Sequence, residues 1–183
     1  MPGTKPEAQP EIVTPRLRLR PLRPRDAALI ALYCSDRRVG WTTAMIPHPY
    51  PPGAAEAFIE RILSPGATEL TWAIDTGADD ENGLVGMIGL KPREPGVAEI
   101  GYWVAPAFWN AGYASEAVAG LVGHAARGGW RELVADVFQD NPASARVLRH
   151  AGFEYLGMGE TYSLARAAMV PTFCYRRTSG GGA

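Results

Sequence analysis

Residues 108–117 read "FWNAGYASEA", and the chemistry this stretch offers is the capture of an anion. A glycine among small residues at a helix entrance brings backbone close to something: a phosphate, a neighbouring strand, or nothing beyond a turn. The first turn of a helix carries N–H groups without helical partners and a partial positive charge, which together attract phosphate. No Gly-Lys-Ser/Thr follows, so this is not a Walker loop, and it is not a Gly-x-Gly-x-x-Gly fingerprint either. A second polar stretch, "DNPAS" at 140–144, opens another helical run. Asn141 suits an N-cap and Pro142 the first helical position, and capping alone accounts for Asn141. Ser144 follows with a hydroxyl that donates as well as accepts.

Other chemistries find little support. His48, His124 and His150 are scattered, and Cys34 and Cys174 belong to no metal-spaced pair, so no metal site is expected. Two lone thiols in a chain with no apolar h-region fit a reducing cytosol, and no run approaches a membrane span. A net charge of −1 creates no field to recruit nucleic acid or a membrane surface. The basic cluster "RLRLRPLRPR" (16–25) alternates Arg with Leu, which reads first as an exposed strand with one apolar face and only weakly as an anion site.

The elements that must position these residues follow from periodicity. "RLRLRPL" (16–22) alternates like a strand, and Asp26 opens a helix reaching about Cys34. Residues 42–53 carry four prolines and read as irregular, before a short helix at 54–63. Strand-like runs at 69–75, 83–90 and 97–105, separated by turn chemistry, predict an antiparallel meander. A helix over 113–127 places Ala114, Ala117, Val118, Leu121, Val122 and Ala125 on one face, and Gly128-Gly129 stops it. A strand at 132–138, a helix at 140–152 and strands at 153–159 and 171–177 complete one α/β sandwich around a mixed sheet. Residues 1–11 read as a flexible leader, 12–177 as a single domain and 178–183 as a flexible tail.

"GYWVAPAFWNAGYASEAV" (101–118) followed by "DNPASARVLRHAGF" (140–153) resembles the GNAT acetyltransferase superfamily. The branch it looks most like contains the ribosomal-protein N-terminal alanine acetyltransferases, and "TPRLRLRPLRPRDA" (14–27) resembles that branch's first strand and helix. The resemblance implies a GNAT-like α/β fold: a mixed, largely antiparallel central sheet of about seven strands flanked by about four helices, split between strands four and five. It implies acetyl-CoA as co-substrate, with Trp109, Asn110, Ala111, Gly112, Tyr113 and Ala114 forming the pyrophosphate loop. Trp109 replaces the family's leading Gln/Arg, and Ala111 stands where this branch often has a basic residue. The thioester edge falls on Trp103 to Ala105, with Val104 the implied oxyanion donor. Asn141 and Ser144 approach the pantetheine arm and sulfur, while Leu148 stands where other branches place a tyrosine acid. The proton-donor role therefore passes to Ser144, as a hydrogen-bond partner of the thiolate. Glu99, on the thioester strand, is the expected general base, with Glu160 the second candidate.

The acceptor wall is expected in the irregular 41–53 segment and a long 160–171 connection, with Trp41, His48, Tyr50, Tyr162, Ser163 and Arg166 as candidates. The implied activity is transfer of an acetyl group from acetyl-CoA to a primary amine, either a protein N-terminus or a small molecule. Attack is direct in a ternary complex, since neither motif holds a covalent nucleophile. The implied protein is a cytoplasmic monomer or homodimer without nucleic-acid or membrane partners. The alternative is a catalytically silent coenzyme-A-binding sensor or interaction module.

Overall fold

The structure is a computed structural model that describes residues 9–77 and 83–179. Among the described residues eight strands form one sheet: β1 (Ile12–Val13), β2 (Arg18–Pro21), β3 (Leu70–Asp75), β4 (Leu84–Glu94), β5 (Val97–Val104), β6 (Glu132–Phe138), β7 (Glu154–Ser163) and β8 (Ala168–Thr178). Their spatial order is β1-β2-β3-β4-β5-β6-β8-β7, and only the β5–β6 pair is parallel. Helices α1 (Ala27–Cys34), α2 (Arg37–Trp41) and α3 (Ala54–Leu63) precede β3. α4 (Tyr113–Arg127) connects β5 to β6, and α5 (Pro142–His150) connects β6 to β7.

The predicted class holds with local corrections. One further strand appears because Ile12 and Val13 pair with Leu19 and Arg18. One further helix, α2, starts where the Asp36 carboxylate accepts from Arg38 N. Residues 9–11 of the expected leader are tied down, since Gln9 Nε2 donates to Thr71 O and Trp72 Nε1 donates to Pro10 O. Thr178 ends β8, and Ser179 donates to Arg131 O and Trp130 O, so the expected tail begins two residues too early. The rest of the leader and tail lies outside the described residues. The expected long connection at 160–171 is a strand hairpin with a four-residue turn, because Glu160 to Ser163 pair with Pro171 to Ala168.

Two cores sandwich the sheet. On one face α4 and α5 bury Ala117, Val118, Leu121, Ala125 and Leu148 against Leu19, Ile74, Ile88, Ile100 and Leu133. On the other, Ile30, Cys34, Ile59 and Ile62 from α1 and α3 meet Ala73, Met87 and Trp103. β2 departs from its predicted exposed polar face. Arg20 is only 3% exposed, its guanidinium bridging the carboxylates of Asp26 and Asp75. Asp26 also accepts from Arg23 N, so it works as an ion-pair partner as well as at the helix entrance. A buried pair of this kind holds geometry, and removing one partner would strand the other's charge.

Candidate active site

β5 and β6 pair only at Val97↔Glu132, Ala98↔Leu133 and Glu99↔Val134. Beyond Glu99, β5 stays on β4 as far as Val104↔Gly86, and β6 stays on β8 as far as Phe138↔Thr172. The sheet is thereby split into two halves that share a closed end and an open one. The split is the predicted one, between the runs at 97–105 and 132–138; the added β1 makes these strands five and six. The closed end is fastened by Gly96 O, which accepts from Arg131 N and Glu132 N.

The open edge of β5 has a defined polarity. Ala105 N donates to Val85 O, so alternation along the antiparallel ladder turns the N–H and C=O of Val104 toward the split. The same alternation turns Trp103's backbone groups toward β4, and its side chain packs in the α1–α3 core. Val104 is thus the backbone donor of this pair that faces the gap. Its carbonyl accepts from the Trp109 indole N–H at 2.7 Å. Gly86 lies opposite, where a Cβ would strike the backbone of Trp103 and Val104.

The loop after β5 rises into α4. Asn110 (φ 61°) and Gly112 (φ 81°) are both left-handed, and Gly112 is the N-cap of α4 with no side chain to occupy the first-turn amides. The N–H groups of Tyr113, Ala114 and Ser115 therefore remain available to an anion. Arg16 flanks them, with Nη1 donating to Ala111 O and the guanidinium 5.2 Å over the Tyr113 ring. Glu116 fixes Arg16 by accepting from its Nε and backbone N, both at 2.7 Å, and also accepts from Thr14 Oγ1. Burial pushes the Glu116 carboxyl up, but the Thr14 and Arg16 donors outweigh it and leave the group below its ordinary value. Sequence reasoning missed the place of Arg16 beside the α4 entrance. The basic cluster was visible, whereas its contact a hundred residues away was not.

On the α5 side, Asn141 Oδ1 accepts from Ser144 N, as its N-cap pattern predicts. Ser144 Oγ lies 2.8 Å from the Tyr102 hydroxyl on β5. Tyr102 was also missed; the cue available was its position two residues before Val104, on the face that α5 must cover. Leu148, one turn on from Ser144, is fully buried.

Glu99 is not brought to this end. It sits in the closed part of the seam, ion-paired with Arg93 of β4. Five residues separate it from Val104, about 16 Å of strand. Strand alternation also puts its side chain on the sheet face opposite Tyr102. Glu160 is exposed on edge strand β7, with β8 and β6 between it and β5. Cys34 is buried, which pushes its thiol up to about 12, and burial also raises Cys174. Neither is an activated nucleophile. Among the described residues no cluster of His, Cys, Asp or Glu is placed to hold a metal ion, and no helix is long and apolar enough to cross a membrane.

Four of the six acceptor-wall candidates divide. The Trp41 ring is contacted by the guanidinium groups of Arg37, at 4.2 Å, and Arg166, at 5.0 Å, and with Trp109, Arg37, Arg38 and Thr42 it lines an open pocket of about 410 Å³. Arg166 is a brace: it donates to Trp41 O and to both Asp140 carboxylate oxygens, locking the β7–β8 turn to α2 and to the start of α5. Ser163 is fully buried and accepts from Arg166 N, so it shapes that turn and does not face an acceptor. Tyr50 packs against the α1–α3 core, and burial pushes its phenol up to about 12.

A chain similar over part of this one is the uncharacterized N-acetyltransferase YoaA of Bacillus subtilis, 32% identical over 109 residues. That match covers 58% of this chain and 60% of YoaA. Among solved structures, a GNAT-family acetyltransferase from Bacillus anthracis superposes with a TM-score of 0.79 at 22% identity, covering 94% of this chain and 100% of that one. RimL, a ribosomal L7/L12 alpha-N-protein acetyltransferase solved with coenzyme A, superposes equally well, at 0.79 and 20% identity over 92% of this chain and 98% of RimL. The profile described as "Acetyltransferase (GNAT) domain" matches residues 16–154, and the chain belongs to that family.

Proposed function

We propose that the protein is an N-acetyltransferase that moves the acetyl group of acetyl-CoA to a primary amine by direct attack in a ternary complex. The observation that carries this reading is the seam: it opens beside the α4 N-terminus and turns the Val104 N–H into the gap. The α4 amides and Arg16 suit the pyrophosphate, and a strand-like pantetheine arm suits the unpaired edge of β5. When the amine adds to the thioester, negative charge develops on the carbonyl oxygen, and the Val104 N–H stabilises it. As the carbon–sulfur bond breaks, the Ser144 hydroxyl hydrogen-bonds to the departing thiolate. An α-amino acceptor, with a pKa of about 8, is partly neutral without a dedicated base, whereas a lysine amine near 10.4 is not. Protein N-termini and small amines of low pKa are therefore the favoured acceptors, and a cytosolic setting supplies both.

The test is thiol release from acetyl-CoA across a panel of α-amino peptides, free amino acids, polyamines and lysine side-chain analogues. Release with at least one α-amine, rising with pH through the amine's own pKa, is the expected result. Acetyl-CoA should also raise the melting temperature by mass action, with ATP at equal concentration doing much less. Thermal stabilisation without release from any amine would instead favour a silent coenzyme-A-binding module.

A further inference from the structure

Ser144 has a partner that the proposed reaction does not yet use. Tyr102 comes from β5 and reaches α5 from the same sheet face: its hydroxyl lies 2.8 Å from Ser144 Oγ, a contact in which either oxygen can donate, and 3.2 Å from Ser144 O, the more distant acceptor for the same proton. The ring packs against the α4–α5 core, which leaves the phenol one rotatable proton and a fixed location. Burial pushes its pKa up to about 12, more than the Ser144 hydrogen bond lowers it, so the group is a neutral phenol at physiological pH. The Ser144 hydroxyl accepts and donates at once. Among the described residues, its oxygen has Tyr102 as its hydrogen-bond partner.

We propose that Tyr102 is a positioning residue for acetyl transfer: its phenol donates to Ser144 Oγ and so turns the serine proton into the open seam, toward the leaving sulfur. The inference rests on the acetyl-transfer reading above. The bonds balance without a new reactant. A nitrogen–carbon bond forms, the carbon–sulfur bond breaks with its electron pair on sulfur, and the amine proton goes to solvent. The thiolate is held by the Ser144 hydroxyl, whose oxygen is itself held by Tyr102. A chain of two donors polarises the terminal one, making it a better partner for an anion. Full proton relay is excluded by the same burial that keeps the phenol neutral, because a phenolate there would be unsolvated. The pair therefore stabilises charge on sulfur and leaves the transfer of protons to water.

Three variants of the full chain decide the matter: Tyr102→Phe, which keeps the ring, Ser144→Ala, and the double substitution. Tyr102→Phe is expected to lower kcat about tenfold, with the KM for acetyl-CoA within twofold of wild type. The double variant should be no slower than Ser144→Ala alone, since the phenol acts only through the serine. The pH–rate profile should keep its shape in Tyr102→Phe, because no titrating group has been removed. Losses that multiply in the double variant would overturn the proposal, as would an unchanged kcat in Tyr102→Phe or a loss confined to KM and melting temperature. A second readout needs no acceptor: the pKa of the bound coenzyme A thiol, followed by thiolate absorbance. Tyr102→Phe and Ser144→Ala should both raise it. A wild type that binds coenzyme A but acetylates nothing would sink the acetyl-transfer reading, and this titration would still judge Tyr102, with an unshifted thiol overturning its role.

Discussion

The two ends of β5 carry the same backbone and opposite roles. At its start, Glu99 and Arg93 satisfy each other, and Gly96 O fastens β6 by accepting from Arg131 N and Glu132 N. At its end the ladder to β6 is gone, the Val104 N–H faces a gap, and Tyr102 meets Ser144 of α5 on the adjoining sheet face. What sets the second end apart is the absence of a strand partner where donors have already been oriented. A carboxylate on the right strand is not enough, because five residues move it from the open seam to the closed one.

Gly112→Val is expected to have the largest effect, since it strikes the cradle at which the open end begins. Gly112 has φ 81° and already sits close to Arg16 Nη2, 3.2 Å from where a Cβ would be. A β-branched residue at such a φ costs roughly 1–3 kcal/mol, which the loop relieves by moving. Moved amides no longer converge on one anion, so acetyl-CoA affinity should fall about thirtyfold or more by calorimetry. A Gly112→Val protein with wild-type affinity would show that the loop is a turn and that the open end lacks its anion site.

Glu116→Gln should act more mildly and through Arg16. It keeps the acceptor oxygen for Thr14 but loses the ionic hold on the guanidinium, a hydrogen bond to a charged group being worth about 1.5–3 kcal/mol. Acetyl-CoA affinity should drop roughly three- to tenfold, by Arg16 leaving the α4 entrance. The acid limb of stability should change as well. The folded-state pKa of Glu116 lies below its ordinary value of 4.5, so its contribution is present above that value and is lost as pH falls through the folded pKa. Acid unfolding curves of the variant should therefore converge on wild type below that range and lie beneath it above. Curves separated equally at all pH values would refute the electrostatic account.

The residues legible in the sequence were those governed by local rules. Asn141, Pro142 and Gly152 mark α5 by capping chemistry, Gly112 marks the entrance to α4, and the apolar face of 114–125 needs only helical period. The residues that were not legible depend on pairing over long separations. Arg16 meets Glu116, Tyr102 meets Ser144, and Arg166 meets Trp41 only after the sheet has formed. The β7–β8 hairpin was underestimated for the same reason. "SLARAA" has poor local strand character, and the ladder from Glu160 to Ser163 comes from cross-strand register with Ala168 to Pro171. Ser163 then becomes a buried turn residue, although a serine in a presumed loop reads as exposed.

The smallest effect is expected for Glu99→Gln, and it sharpens the comparison most directly. The sequence reading made Glu99 the general base, in which case its loss would cost about 10²–10⁴-fold in turnover, recovered at high pH. The geometry gives it another task. Its carboxylate faces Arg93 across the β4–β5 hairpin, about 16 Å of strand from Val104, where it can neither touch an attacking amine nor reach one through a single water. Both side chains are partly exposed, Arg93 by 49% and Glu99 by 30%, so screening limits the pair to about 0–1 kcal/mol of stability. Glu99→Gln should thus shift the melting temperature by no more than a few degrees and leave turnover within twofold at every pH. Raising salt should erase the remaining stability difference, since an exposed pair is screened within about 10 Å at 0.1 M. A deficit of a hundredfold at neutral pH that closes at high pH would reverse the assignment. The closed end of β5 would then have to open during turnover and bring Glu99 to the acceptor.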